Sequence, residues 1–204
     1  MVNGLVLKWG RVLRRPPNLI TASRLFLMSP IASGLLFSGE VDLAWKLVIT
    51  AALSDWLDGA LSKLLYGHGT LFGKVSDPMA DKIFIDFVLV TMWSVGRLPD
   101  YIGGPVVLVT VVYDVYMTWR RWPDFIHALD EPNAPAEEAM VDTTWTAKFK
   151  TAVQFGAIVL LLVGDYLPDI LTHSGDVAFV ASGVMVIVSG INYSQRGKPG
   201  KISS

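Results

Sequence analysis

Asp55-Trp-Leu-Asp58-Gly59-Ala-Leu-Ser62-Lys63, followed ten residues on by Gly73-Lys-Val-Ser-Asp77-Pro78-Met-Ala-Asp81-Lys82, sets four carboxylates and two glycines into otherwise apolar sequence. Asp55 and Asp58 are three apart and share one helix face. Gly73, Asp77 and Asp81 step by four and form a second single-faced row. Two helices meeting along these rows gather four carboxylates, which repel one another and lose hydration. A bound cation relieves both penalties. The chain has no Cys and only three scattered His, so ligation is by oxygen, which suits Mg²⁺ or Mn²⁺ first and Ca²⁺ next. Gly59 and Gly73 let a bulky ligand approach the backbone, and Lys63, one turn beyond Gly59, is placed to meet a phosphate. The residues alone point to metal-assisted phosphoryl chemistry between two helices; the competing reading is a set of capping or core-paired aspartates.

Working outward, the 204 residues are 52% hydrophobic and 17% charged, with a mean hydropathy of +0.46. That balance describes a membrane protein rather than a soluble domain. The net charge of −1 and the lack of basic clusters interleaved with aromatics give no sign of a nucleic-acid partner. Residues 1–16 read as a short amphipathic helix on an anionic membrane surface, with Leu5, Trp9 and Val12 on one side and Lys8, Arg11 and Arg15 on the other. Pro16-Pro17 is expected to end it.

Six spans follow, at about 18–37, 41–65, 73–95, 105–119, 145–166 and 177–191, within a domain of residues 17–193. Residues 194–204 form a basic tail. The first span carries Asn18, Thr21 and Arg24 at steps of three; Arg24 reads either as a snorkelling anchor or as a cation near a lipid headgroup. The glycines of residues 66–70 make a turn, and His68 in it reads as solvated. Asp86 has no motif match, and Asp114 is an intramembrane carboxylate, a functional candidate by default. Residues 122–146, with six acidic residues, read as a long polar loop. Lys148 and Lys150 open the fifth span, either as a positive-inside border or as a phosphate grip. Lys and Arg crowd the connectors on one side, whereas the other side holds only Arg97, so both termini and both aspartate rows are expected to be cytoplasmic.

The aspartate pattern resembles the signature of the CDP-alcohol phosphotransferases, also called phosphatidyltransferases: Asp-x2-Asp-Gly-x2-Ala-Arg, a spacer, then Gly-x3-Asp-x3-Asp. All four Asp and both Gly match, Ser62 stands for the usual Ala, and Lys63 for the usual Arg, which loses a bidentate fork. The resemblance implies a six-helix membrane enzyme, commonly a homodimer in the bacterial inner membrane. It implies two divalent ions held by Asp55, Asp58, Asp77 and Asp81, with Asp81 also the base. The cytidine end of CDP-diacylglycerol would then lie against Asp58, Gly59, Ser62, Lys63 and Gly73. Many bacterial members open with Pro-Asn-x2-Thr-x2-Arg, which favours a headgroup role for Asn18, Thr21 and Arg24.

Ala147-Lys148-Phe-Lys150-Thr151-Ala-Val-Gln154 resembles the Gly-Lys-x-Lys-Thr-x2-Gln of the phosphatidylglycerolphosphate synthase branch. That points to glycerol 3-phosphate as acceptor, with Arg121, Lys148 and Lys150 on its phosphate. Tyr113 stands where an Arg is usual. The alternatives are a cardiolipin synthase using phosphatidylglycerol and, in another class, a divalent-cation transporter, which would not bind CDP or CMP.

Overall fold

A computed structural model describes residues 16–66, 71–130, 145–168 and 173–195, and among these all regular structure is helical. The first helix, α1, runs through Pro16–Ser23, a π-helical stretch Arg24–Met28, and Ser29–Phe37. Then come α2 (Val41–Tyr66), α3 (Leu71–Ser94), α4 (Gly103–Asp130), α5 (Trp145–Val163) and α6 (Ser174–Gln195), with a single 3₁₀ turn at Gly164–Tyr166. The amphipathic surface helix, the turn containing His68 and most of the basic tail lie outside the described residues.

Pro16 and Pro17 open α1, as suits residues that lack an amide donor where none is needed. The turns after α1 and α3 close in the same way. Gly39 and Gly96 have φ of +78° and +70°, and the next amide reaches back five residues, Glu40 N to Leu35 O at 2.9 Å and Arg97 N to Met92 O at 2.8 Å. Glycine takes this left-handed conformation without a Cβ penalty and satisfies the last carbonyls of the helix.

The apolar core runs along the centre of the bundle. Phe84, Ile85, Val88 and Met92 of α3 meet Ala32 and Leu36 of α1, Ala44, Val48 and Ala51 of α2, Ile158 and Leu162 of α5, and Phe179 of α6. Phe84 and Phe155 stack with centroids 5.8 Å apart. Small residues on α2 let its neighbours approach closely. At the start of α6, a Cβ on Gly175 would stand 2.9 Å from the backbone nitrogen of Leu161, so α6 leaves its turn pressed against α5.

Polarity is arranged inside out. Arg24, Asp114, Lys150 and Gln154 are buried, whereas Phe26, Leu53, Leu64, Leu108, Val112, Trp119 and Val177 are half or more exposed. Exposed apolar side chains on every side of a bundle with a charged interior suit a lipid surround.

Two stretches among the described residues, Asn18–Phe37 and Ser174–Ile191, are long and apolar enough by composition to cross a membrane; Phe149–Val163 is apolar but shorter. Six helices stand among the described residues, but only two of them have the composition of the expected membrane spans. The reason is visible in the sequence: α2, α3 and α4 carry Asp, Lys or Arg at several positions each.

The polar loop expected at 122–146 is corrected in its first part. The helix continues to Asp130, because Phe125, Ala128 and Leu129 recur at helical spacing and pack on Leu71, Phe72, Val75 and Met79 of α3. At 28 residues, α4 is about 42 Å long, beyond the ~30 Å of a hydrocarbon core. The fifth helix ends at Val163 rather than near residue 166, and the sixth starts at Ser174 and ends at Gln195.

Candidate active site

The site is built on α3, whose successive turns face different neighbours. Asp77 and Asp81 point toward α1. Asp77 Oδ1 accepts the Thr21 hydroxyl at 2.8 Å. Asp81, buried, is ion-paired through Oδ1 to Nη1 of Arg24. The Arg24 guanidinium is fully buried, and its Nε and Nη2 bracket Ser54 Oγ at 3.3 and 3.2 Å. Ser54 in turn donates to Ala51 O at 2.8 Å.

Asp55, Asp58, Gly59, Ser62 and Lys63 lie on α2 immediately after Ser54. Their side chains, like that of Lys148 at the start of α5, are outside the described residues. Among the described residues no three acidic or imidazole groups converge, so the expected four-carboxylate meeting falls outside them. What is described fits a hard divalent ion. Asp77 and Asp81 sit one turn apart on one face and would supply carboxylate oxygens of the kind such an ion takes, although Asp81 is here paired with the Arg24 guanidinium.

Arg24 is fully buried within the helix bundle. Thr21 and Asn18 are also buried, and both line an apolar pocket with Phe26 of α1, Phe72, Ser76 and Met79 of α3, and Phe125 of α4. The hydroxyl of Ser76 has no hydrogen-bond partner among the described residues.

One residue after Asp81, Lys82 turns the other way, toward α4 and α5. Asp114 Oδ1 accepts a hydrogen bond from Lys150 Nζ at 2.9 Å and is ion-paired with Lys82 Nζ at 3.0 Å. Both ammonium groups also stand over the Tyr113 ring, at 4.6 Å for Lys150 and 5.2 Å for Lys82. Tyr113 therefore offers a π face where the family usually has a cation. Arg121, buried, is near enough to Lys82 for their charges to interact.

One turn deeper on the same three helices, Asp86, Thr110 and Gln154 repeat the arrangement. Asp86 Oδ1, Thr110 Oγ1, Asp114 Oδ2 and Gln154 Nε2 have no hydrogen-bond partner among the described residues. Polar atoms so placed are commonly satisfied by internal water. The structure thus places Lys82 and Lys150 on one shared carboxylate, Asp114. Nothing in its spacing had marked Lys82; the available signal was its place directly after the last aspartate.

An all-helical bundle with an apolar outer surface and a buried band of acids and bases has the build of a membrane-embedded polar site. The family model for CDP-alcohol phosphatidyltransferases matches residues 15–191, and the chain belongs to that family. It is 27% identical over 184 residues to "Probable phosphatidylglycerophosphate synthase" of Mycobacterium tuberculosis, covering 88% of this chain and 79% of the relative. It is 29% identical over 154 residues to the CDP-diacylglycerol–glycerol-3-phosphate 3-phosphatidyltransferase of Cereibacter sphaeroides, covering 74% and 64%. A "Probable cardiolipin synthase (CMP-forming)" of Drosophila melanogaster is 28% identical over 153 residues, 72% of this chain but 46% of that longer protein. No solved structure matches the chain.

Proposed function

We propose that the protein transfers the phosphatidyl group of CDP-diacylglycerol to glycerol 3-phosphate, releasing CMP and forming phosphatidylglycerol phosphate. The observation that carries this reading is the two-sided face of α3. It presents Asp77 and Asp81 toward α1, and Lys82, beside Asp114 and Lys150, toward α4 and α5. Carboxylates for a metal-bound pyrophosphate and cations for a dianionic acceptor then lie on neighbouring turns of one helix. Family membership and relatives named for this reaction support it over a cation transporter. A relative named for cardiolipin synthesis keeps phosphatidylglycerol as the second acceptor.

In this reading Asp55, Asp58, Asp77 and Asp81 would hold two Mg²⁺ or Mn²⁺ ions, which when bound would supply charge neutralisation at the pyrophosphate and the leaving CMP. Gly59, Gly73 and Lys63 take the cytidine and phosphate portions of the donor. The pocket bounded by Phe26, Phe72 and Phe125 takes an apolar part of the lipid. Asp81 accepts the proton of the acceptor hydroxyl as its oxygen attacks the lipid-side phosphorus and the bond to CMP breaks. Arg121, Lys148 and Lys150, now with Lys82, hold the acceptor phosphate.

The test is CMP release by purified protein given CDP-diacylglycerol, Mn²⁺ and each acceptor in turn. Glycerol 3-phosphate is expected to support turnover. Release with phosphatidylglycerol alone would transfer the assignment to cardiolipin synthesis within the same family.

The same proposal places six spans in a bacterial inner membrane, with both termini and the aspartates cytoplasmic, in a homodimer. The chain has no Cys, and the side chain of His173, between α5 and α6, is 86% exposed. His173→Cys in intact cells is expected to react with a membrane-impermeant maleimide. Labelling only after permeabilisation would reverse the orientation.

A further inference from the structure

The feature left over by this mechanism is Arg24. Its guanidinium is wholly removed from solvent, which excludes a snorkelling anchor, because such a side chain keeps its charge at the interface. It connects three helices. Rooted in the π-helical stretch of α1, it reaches Asp81 on α3 and brackets Ser54 on α2, directly before Asp55. Thr21, one turn earlier, holds Asp77 in parallel. The polar face of α1 therefore engages both aspartates of the second row and the residue that leads into the first.

We infer that Arg24 is a positioning residue and the resident counter-ion of the aspartate motif. It fixes the Asp81 carboxylate against α1 while being held itself by Ser54 of α2, and offsets part of the acid cluster's charge while no metal is bound. This rests on reading the motif as a divalent-cation site. Four carboxylates gathered in a desolvated place repel one another, and a buried charge left unpaired is strongly destabilising. A guanidinium lessens that repulsion and, being a planar fork with several donors, can meet a carboxylate and a hydroxyl at once. A lysine ammonium is a point charge and cannot span both in the same way. Arg24 thus makes folding of the site less dependent on metal, and it sets the geometry of the base.

Metal-dependent stability separates this role from a purely structural one. The thermal midpoint of detergent-purified protein would be measured with and without Mn²⁺ for wild type, Arg24→Met and Arg24→Lys. Mn²⁺ is expected to raise the Arg24→Met midpoint at least twice as far as that of wild type, since the metal-free variant has lost its internal cation. Arg24→Lys keeps the charge and is expected to show the wild-type shift. Its kcat should nevertheless fall about 10²-fold with little change in KM for the donor, the effect of a reacting group misplaced by about 1 Å.

Equal Mn²⁺ shifts in wild type and Arg24→Met would overturn the inference. If Arg24→Met does not fold without metal, the double variant Arg24→Met/Asp81→Asn removes both members of the pair and is expected to be the more stable of the two. A double variant no more stable than the single would also overturn it. No Mn²⁺ shift in wild type would instead overturn the cation-site reading, and this inference would fall with it.

Discussion

Asp77→Ala is expected to lower CMP release by about 10³-fold while leaving a folded, inserted protein. Metal stabilisation of developing charge is worth several kcal/mol, and each ~1.4 kcal/mol is a factor of ten in rate; losing one ligand of a two-ion site removes a large part of that. Folding should survive for local reasons. Ala is a stronger helix former than Asp, and the Thr21 hydroxyl that bonds Asp77 at 2.8 Å can turn back to a carbonyl of its own helix. Asp58→Ala should behave alike, as should wild type in excess EDTA. The check is CMP release alongside circular dichroism of the same preparations. Full activity in either variant, or in EDTA, would remove the two-ion mechanism.

Asp114→Ala should have the largest effect on stability. Its carboxylate is 1% exposed and faces two lysines, Lys82 at 3.0 Å and Lys150 at 2.9 Å. Removing it leaves Lys150, itself almost fully buried, and Lys82 as like charges without the carboxylate that pairs with both. Breaking a buried pair from one side typically costs about 3–5 kcal/mol. The variant should therefore unfold well below wild type in a thermal scan in detergent. Adding Lys150→Met should restore part of the loss, because it removes one of the stranded charges. Near-wild-type stability for Asp114→Ala would mean that these lysines have other partners.

Much of the fold was legible because apolar length and turn chemistry set it. Gly39 and Gly96 mark two turns. Each of the six stretches read as spans contains a helix among the described residues, although only two of them are apolar enough by composition to cross a membrane. The end of α4 was misjudged because residues 122–130 were read by composition, where acids and Pro123 suggest a loop. Their periodicity, with Phe125 and Leu129 one turn apart, carried the helix.

For the site, the aspartate spacing was sufficient to place Asp77 and Asp81 on one face of α3. Direction was harder to read. Arg24 could be placed in the first span, but whether its guanidinium rose to the interface or turned inward depends on Ser54 and Asp81, 30 and 57 residues away. Asp114 and Lys150 were each singled out, yet nothing in a linear chain shows that they meet, or that Lys82 joins them. Such contacts exist only once α3, α4 and α5 have assembled, and a spacing rule sees one helix at a time.

The π-helical stretch of α1 has a consequence for insertions and deletions. The amide of Ser29 bonds the carbonyl of Arg24, five positions back, and the Ser29 hydroxyl reaches the same carbonyl at 2.9 Å. In a regular α-helix five positions turn through about 500°, or 140° out of phase, whereas four turn through about 400°, only 40° out. The wider turn is what keeps Arg24 inward together with Ser29, Ala32 and Leu36, all of them buried. The surplus residue is borne by the exposed side, at Phe26 and Leu27. A chain lacking one of these two would regain an ordinary helix with both halves of its inner face still aligned. One extra residue there would swing Thr21 and Arg24 away from their aspartates, so at this point α1 tolerates shortening better than lengthening.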